Sequence, residues 1–345
     1  MALVEINGIL RKAREHHASD VHIVVGAPVL MRIDGELRPA SRDVLSPEVA
    51  KHLSYSLLNK KQQAYFEENC DYDLMVADTN RCRYRVNIAY NDGFVGCTIR
   101  LLPSDPIKLE QIKMPEIVRM MTRARKGLIL ITGSTSQGKS TTMAAMIDEI
   151  NSTTSKHIIT IEDPIEYVHK NNKSVIRQRD VGKDTKSFHN GLRAALRQDP
   201  DVILLGEMRD YETIKTALTA AETGILVIST LHIISIDKII ERMLAYAPDG
   251  SDGHMRALLA ESLFGVIHQE LLPTVDGGKR VACEVLLVTD AVRNVLRNRD
   301  TFHLRNQIAT GKKFGMVTMT SSLTQLLEEG VISEEVYDSV AESYS

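Results

Sequence analysis

The chain has 345 residues, enough for two or three domains, and its 43% hydrophobic and 25% charged content is ordinary for a soluble globular protein. The formal net charge of −3 provides no overall basic field, which argues against nucleic acid as the main partner. No apolar run approaches the roughly 18 residues of a membrane-spanning helix. The four cysteines form no C-x-x-C pair and are expected to be reduced thiols. We therefore expect a cytoplasmic protein without a direct membrane span.

The first part of the chain, residues 1–102, is predicted to be a small α+β domain. A helical segment opens it, and strand-like runs rich in Val, Ile and Tyr follow, separated by Asp-Gly and Gly turns. The runs are VHIVV, VLMRIDGEL, DYDLMV, RCRYRVNIAY and GFVGCTIRLL, with helices expected around 46–58 and 60–68. The two prolines of LLPSDPIKL (101–109) indicate a linker, which we place at residues 103–114.

From about residue 115, short apolar runs alternate with helical stretches. The runs are GLILITG, HIITIED, DVILLGE and GILVIST, with helices expected from Lys139, around 187–197 and around 211–222. Apolar runs of this length predict parallel strands buried on both faces of an α/β sheet, which we place at residues 115–270. After about residue 250 the pattern becomes mostly helical, broken by the strand-like RVACEVLLV. Residues 271–345 are accordingly expected to form a mainly helical C-terminal region.

The stretch GSTSQGKSTT matches the phosphate-loop pattern G-x-x-x-x-G-K-[ST] between a predicted strand and a predicted helix, the context that the pattern requires. Backbone N–H groups and the positive end of the helix would bind phosphate. Lys139 would reach the β- and γ-phosphates, and Ser140 would ligate Mg²⁺. The pattern therefore predicts ATP and Mg²⁺ as cofactors. The residues expected to bind the nucleotide are Gly133, Ser134, Thr135, Ser136, Gln137, Gly138, Lys139, Ser140 and Thr141.

One part of this loop is irregular, because Ser136 and Gln137 stand where small residues, often glycine, are usual. A loop that wraps its backbone around phosphate often needs positive φ, which glycine adopts freely and serine only with strain. Gln137 is expected to add bulk near the γ-phosphate. Two interpretations stay open, a tolerated substitution and a slow or specialised ATPase.

Acidic residues follow two of the predicted strands: Glu162, Asp163 and Glu166 after one, Glu207 and Asp210 after the other. ATP hydrolysis needs a Mg²⁺ ligand and a group that orients the attacking water, and both are expected at strand ends beside the phosphate loop. We expect Glu207 to position the water, with Glu162 and Glu166 assisting. Glu162 and Asp163 are expected to join Ser140 in binding the metal.

His232 follows a third predicted strand, directly after Ser229, Thr230 and Leu231. A single histidine in a loop is usually structural. Its position at a strand end of the same sheet predicts a sensor of the γ-phosphate.

These motifs together resemble the secretion ATPase superfamily, which drives type IV pili and type II secretion. TIEDPIEYVH is similar to its Asp box, GEMRDYET to its Walker B box and STLH to its His box, while ASDVHI, RIDGEL and RYRVN resemble its N-terminal domain. The resemblance implies an N-terminal PAS-like α+β domain, a C-terminal RecA-like P-loop ATPase domain and a helical C-terminal region. It also implies a homo-hexameric ring with nucleotide sites between subunits.

The pilus-retraction branch of this superfamily is the one that the chain resembles in particular. No extra N-terminal domain and no paired C-x-x-C zinc module are seen, and AVRNVLRN (291–298) is similar to the retraction signature AIRNLIRE. The resemblance implies a motor that powers twitching motility by depolymerising pilin, docked on a platform protein at the cytoplasmic face of the inner membrane, with a second retraction ATPase as a possible partner. The alternatives are an accessory ring subunit with weak ATPase activity, a pilus-assembly or type II secretion ATPase, and a nucleic-acid translocase.

In such a ring a neighbouring subunit would supply positive charge to each site, and the resemblance assigns this role to Arg85 and Arg100, with Arg83 as a weaker candidate. Without the resemblance, arginines that alternate along strands would be expected to face solvent. The chain departs from the family pattern at the middle of the phosphate loop, after the His box and at the end of the retraction motif: Ser136, Ile233 and Ile234, and Asn298. The first departure bears on the hydrolysis rate, the second on sensing or subunit contact, and the third on the retraction assignment.

Overall fold

The computed structural model describes residues 5–33, 35–78, 82–102, 106–233, 235–248, 250–298 and 303–344. The chain divides into two compact units, Met1–Asp105 and Pro106–Ser345. Part of the expected linker (103–105), Ile234 after the His box and Asp34 of RIDGEL lie outside the described residues. Both units combine helices with a sheet, so the α/β class expected from the sequence is confirmed.

The described part of the N-terminal unit is an antiparallel sheet with three helices. The helices are α1 (Ile6–Glu15), α2 (Pro47–Tyr55) and α3 (Lys60–Asn69), and the strands are β1 (Asp20–Ile23), β2 (Pro28–Ile33), β3 (Glu36–Val44), β4 (Asp71–Ala77), β5 (Arg83–Asn91) and β6 (Phe94–Leu101). The strand order is β3-β2-β1-β6-β5-β4. Alternate residues of β5, namely Tyr84, Val86 and Ile88, are fully buried, so the residues between them lie on the opposite face of the sheet.

The described part of the C-terminal unit has seven strands in the order β13-β12-β7-β11-β10-β8-β9. They are β7 (Gly127–Thr132), β8 (His157–Glu162), β9 (Val175–Asp180), β10 (Val202–Leu205), β11 (Leu226–Leu231), β12 (Leu263–Pro273) and β13 (Lys279–Leu287). Within this described set, β13 pairs antiparallel with β12, and the other neighbouring strands pair in parallel.

Helices cover both faces of this second sheet. They are α4 (Glu116–Met121), α5 (Lys139–Thr153), α6 (Phe188–Ala195), α7 (Tyr211–Thr223), α8 (Ile239–Leu244), α9 (Asp252–Ser262), α10 (Asp290–Arg297), α11 (His303–Thr310), α12 (Met319–Glu328) and α13 (Glu334–Ala341). The apolar residues of α4 and α5 pack on one face, and those of α6, α7, α9, α10 and α11 pack on the other. Burial on both faces is the reason that β7, β10 and β11 are entirely apolar or nearly so.

Two strands of this sheet are missing from the sequence-based expectation. The β9 sequence VIRQRD has only two apolar residues, because the strand lies at the sheet edge and is half-exposed. The segment Leu263–Pro273 lies in the stretch expected to be mostly helical, and that expectation is wrong here. Strand β12 follows α9 without a loop, so its apolar residues read as a continuation of the helix. Among the described residues, none of the helices combines the length and apolar character needed to cross a bilayer.

Candidate nucleotide-binding site

The phosphate loop connects β7 to α5, as the sequence predicts. Gly133 has φ +139° and Gly138 has φ +79°, values that favour glycine. A Cβ on Gly133 would lie 2.5 Å from the backbone oxygen of Gln269, so this position also requires glycine for space. The 15-residue helix α5 starts at Lys139, and the unpaired N–H groups of its first turn make a site for an anion.

Ser136 adopts the left-handed backbone conformation, at φ +66°. The expectation that this loop position needs positive φ is therefore confirmed. A serine here carries a steric cost that a glycine would avoid, since its Cβ approaches the neighbouring carbonyl oxygen. The irregularity seen in the sequence is thus a real local strain in the loop.

Lys139 is buried within the loop that it belongs to. Its Nζ donates to the backbone oxygens of Gly133 at 2.8 Å and Ser134 at 2.5 Å. Burial lowers the pKa of Lys139, and the carboxylates of Glu207 and Glu270 oppose that shift. The ammonium group is therefore held at the mouth of the loop, where phosphate oxygens can replace the carbonyl oxygens as acceptors.

Gln137 fastens the loop to β12. Its Oε1 accepts a hydrogen bond from the backbone N–H of Leu271, and its backbone oxygen accepts one from Nε2 of Gln269. The sequence analysis expected only added bulk near the γ-phosphate and did not anticipate this contact. Gln269 is a further residue of the site that sequence reasoning missed.

The strand ends behind the loop are in register. Ile161 of β8 pairs with Leu205 of β10, which pairs with Ser229 of β11. Gly206 donates its N–H to the oxygen of Ile161 at 2.8 Å and accepts from Oγ1 of Thr230 at 2.6 Å. The chain segments that leave these strands, carrying Glu162, Glu207 and His232, therefore emerge at one edge of the sheet. Strand β7, which leads into the phosphate loop, lies next to β11 at the same edge.

Glu207 and His232 are brought together at this edge. The Nε2 atom of His232 lies 3.6 Å from Oε2 of Glu207, and Nε of Arg209 lies 2.6 Å from the same oxygen. That oxygen is buried and receives no aligned hydrogen bond in the part of the chain that the structure describes. Burial, and then the charge of Lys139, lower the pKa of His232, so its imidazole is neutral at pH 7. Sequence reasoning missed Arg209, although it lies two residues beyond the acid.

The acidic residues Glu162, Asp163 and Glu166 lie at the end of β8 and in the segment that follows it. Oε1 of Glu162 accepts from Oγ1 of Thr160 at 2.6 Å and from Nε2 of Gln178 at 3.2 Å, which fixes this carboxylate. The hydroxyl of Tyr167 lies 2.9 Å from Oγ1 of Thr141 and ties the segment to α5. Between these anchors, Asp163 is exposed and Glu166 is half-buried.

The residues present fit Mg²⁺ bound together with a nucleotide. No group of three or more His, Cys, Asp or Glu side chains in the described residues is arranged to hold a metal without help. Mg²⁺ is ordinarily bound by one or two carboxylates or hydroxyls, completed by waters and phosphate oxygens. The hydroxyl of Ser140 in the first turn of α5 and the fixed carboxylate of Glu162 are ligands of that kind.

Arg85 and Arg100 belong to the N-terminal unit. They pair across β5 and β6, and both are exposed. Nε of Arg100 lies 3.0 Å from Oδ1 of Asp20, whose side chain is only 9% exposed. The structure therefore brings the two arginines together on one face of the N-terminal sheet, as the alternation of β5 requires.

The retraction-like motif forms α10, and its two arginines contact α9. Arg293 donates from Nε to the oxygen of Ala260 at 3.0 Å, and Arg297 pairs with Glu261. The expectation that both arginines share one face of an amphipathic helix is confirmed. Ile233, after the His box, is buried in the core of the C-terminal unit.

Comparison with known proteins gives matches over nearly the whole chain. The family model described as "Type II/IV secretion system protein" matches residues 2–343. The "Type IV pilus retractation ATPase PilT" of Pseudomonas aeruginosa is 40% identical, with 96% of each chain covered. The "Type IV pilus ATPase PilU" of the same organism is 35% identical, with 96% of this chain and 87% of the relative covered.

The solved structure "Crystal Structure of the Pilus Retraction Motor PilT and Bound ADP" superposes with a TM-score of 0.89 at 41% identity, covering 97% of this chain and 96% of the other. With 97% of this chain covered, the match includes residues of both units. The chain is a member of the Type II/IV secretion system protein family.

Proposed function

We propose that this chain is the ATP-hydrolysing subunit of a motor that powers type IV pilus retraction, and with it twitching motility. The observation that carries the proposal is the Glu207 carboxylate, set at the same sheet edge as the phosphate loop, with one buried oxygen that receives no aligned hydrogen bond among the described residues. Full-length similarity to a relative named as a pilus retractation ATPase supports the direction of the work.

In this proposal ATP binds with its phosphates against the N-terminus of α5. Lys139 exchanges the carbonyl oxygens of Gly133 and Ser134 for the β- and γ-phosphates. The backbone of the loop, Gly133 to Gly138, supplies N–H donors that match a phosphate's charge. The side chains of Thr135, Ser136 and Thr141 line the same loop and helix turn.

Mg²⁺, when bound, would neutralise charge that develops on the phosphate oxygens. Ser140 and Glu162 would hold it, and Asp163 and Glu166 are further carboxylates of the segment that follows Glu162. The Glu207 carboxylate would accept a hydrogen bond from the attacking water and orient that water toward the γ-phosphorus. His232, neutral and next to Glu207, would donate its one N–H hydrogen bond to an oxygen of the γ-phosphate and so report its presence.

Positive charge for the transition state would come from another subunit. Arg85 and Arg100 present two guanidinium groups from adjacent strands of the N-terminal sheet. In a homo-hexameric ring, these groups of one subunit would reach the nucleotide of its neighbour, as an arginine finger does. The ring would act at the cytoplasmic face of the inner membrane on a platform protein, and a second retraction ATPase is a candidate partner.

The second candidate function is an accessory ring subunit with weak ATPase activity. The strained Ser136 in the phosphate loop favours it, because a loop that departs from its usual geometry is expected to align phosphate less well. The 35% identity to a relative named PilU is compatible with either function.

A complementation experiment in the organism that encodes this chain separates these functions. We expect a deletion strain to carry more surface pili and to lose twitching, whereas loss of an assembly motor would leave no pili. The native chain should restore twitching and Glu207→Gln should not. If Glu207→Gln restores twitching as well as the native chain does, hydrolysis by this chain is not needed and the accessory function is correct.

A further inference from the structure

A hydrogen-bonded chain of side chains runs from the phosphate loop to the segment after α13. Oγ1 of Thr132, the last residue of β7, lies 3.0 Å from Nδ1 of His268 on β12. Nε2 of His268 lies 2.8 Å from the hydroxyl of Tyr344, and that hydroxyl donates to Oε1 of Glu270 at 3.0 Å. Thr132 is followed directly by Gly133, so this series of hydrogen bonds ends at the residue immediately before the loop.

The donors and acceptors of this chain can be assigned in one direction. Because the Tyr344 hydroxyl gives its hydrogen to Glu270, it must accept the Nε2 hydrogen of His268. Nδ1 of His268 is then the acceptor and takes the hydroxyl hydrogen of Thr132. This arrangement needs a neutral imidazole. Burial, with the charge of Lys139 adding to it, lowers the pKa of His268 to about 4, which agrees with that requirement.

The same strand that carries His268 holds the rest of the loop. Gln269 and Leu271 both bond to Gln137, and the backbone oxygen of Gln269 lies where a Cβ of Gly133 would clash. Strand β12 therefore contacts the loop at its first residue and at the residue before its second glycine. A shift of β12 would move both ends of the loop.

We propose that Tyr344 is a positioning residue for the nucleotide. Tyr344 acts on the phosphate loop through His268 and Thr132. The inference rests on the proposed function, because it assigns a role at the same nucleotide site. Tyr344 joins β12 to the segment after α13 and holds the orientation of His268, which in turn fixes the hydroxyl of Thr132. When the chain of hydrogen bonds is intact, the loop keeps the backbone geometry that binds phosphate.

The test uses the full chain and four variants: Tyr344→Phe, Thr132→Val, the double variant of these two, and Tyr337→Phe. Tyr337 lies on α13 and packs in the apolar cluster of that helix, so its substitution is the matched control. ADP affinity is measured by calorimetric titration, and KM and kcat by steady-state hydrolysis of ATP with Mg²⁺. Thermal unfolding of each protein shows that the variants are folded.

We expect each single variant to raise the Kd for ADP and the KM for ATP by roughly three- to tenfold, the size of one lost hydrogen bond, with a smaller change in kcat. Tyr337→Phe should match the native chain. The Thr132 and Tyr344 hydroxyls do not bond to each other, so coupling between them must pass through His268. The double variant should therefore be no weaker, within about twofold, than the worse single variant.

Two results would overturn the inference while leaving the proposed function intact. One is a Tyr344→Phe protein with the same Kd and KM as the native chain and Tyr337→Phe. The other is a double variant whose loss of affinity equals the product of the two single losses. If the native chain itself binds no ADP, the proposed function and this inference both fail.

Discussion

Glu207 and His232 meet at the carboxyl edge of the sheet, with Nε2 of His232 3.6 Å from Oε2 of Glu207, although they follow different strands. The register of β10 and β11 produces this proximity, because Leu205 pairs with Ser229 and the two chains leave the sheet together. A half-buried carboxylate next to a neutral imidazole can orient water, while the imidazole detects a phosphate at the same site.

His232→Gln should reduce kcat and leave nucleotide affinity nearly unchanged. The amide can take one hydrogen bond but cannot place it where the ring nitrogen does, so we expect a loss of roughly ten- to a hundredfold in kcat. His254→Gln, at an exposed position on α9, is the control. Steady-state kinetics and ADP titration check this, and equal kcat values for the two variants would contradict the role of His232.

Arg85→Ala and Arg100→Ala should differ in their effect on the free energy of unfolding but have the same effect on ATPase activity. Arg100→Ala removes the partner of the nearly buried Asp20 and should lower the free energy of unfolding by about 1 kcal/mol, a value reduced by the exposure of the arginine. Arg85 is exposed, and Arg85→Ala should change that free energy by less than about 0.5 kcal/mol.

Both arginine variants should lose at least roughly a hundredfold in turnover, since each removes charge that stabilises the transition state. Urea unfolding and steady-state ATPase assays test the two halves of this prediction. Arg85→Ala with native turnover would show that the arginine only faces solvent.

Ser136→Gly should be more stable than Ser136→Ala by about 1 kcal/mol. Alanine keeps the Cβ that is strained at φ +66°, and glycine removes it. Part of the stability gained with glycine is offset, because glycine loses more backbone entropy on folding. Urea unfolding of the two variants measures the difference. Equal stabilities would mean that the serine conformation carries no strain.

The same two Ser136 variants distinguish a tolerated substitution from a slow ATPase. If Ser136→Gly turns over at saturating ATP at the same rate as the native chain, the serine is a tolerated substitution. If turnover rises in Ser136→Gly but not in Ser136→Ala, the backbone strain at this position limits the rate of hydrolysis.

His268 should make the folded chain less stable in acid. Its native pKa of about 4 is below the ordinary value of about 6.5. Between these two pH values the unfolded chain binds a proton at His268 that the native chain does not bind. This contribution is absent above about pH 7.5 and grows as the pH falls from about 6.5 toward 4, where it approaches about 3 kcal/mol.

His268→Gln should therefore flatten the fall in the free energy of unfolding between pH 6.5 and pH 4, measured by urea unfolding. His254→Gln provides the comparison, because its imidazole is exposed on α9. An unchanged pH dependence in His268→Gln would mean that the pKa of His268 is the same in the native and unfolded chains.

The sequence was sufficient for the parts of the site in which local pattern decides structure. Four buried strands, the phosphate loop and the positive φ at Ser136 all follow from apolar runs, glycine spacing and the stereochemistry of the loop. The acids and His232 could be placed at strand ends because parallel strands deliver their carboxyl ends to one edge.

The support behind the loop could not be predicted, because it depends on contacts between distant segments. Thr132 and His268 are 136 positions apart, and His268 is linked to Tyr344 a further 76 positions on. Strand β12, which carries His268, has the apolar pattern of a helix continued from α9 and gives no local signal of its own. Only the sheet order places it next to β7.

The most direct test of this account is the steady-state Mg²⁺-ATPase activity of the purified chain, measured beside Lys139→Ala and Glu207→Ala. The account predicts that the native chain turns over and that both variants fall to background, since one loses phosphate binding and the other loses the group that orients water. A native chain that binds ATP but turns over no faster than the two variants would contradict it.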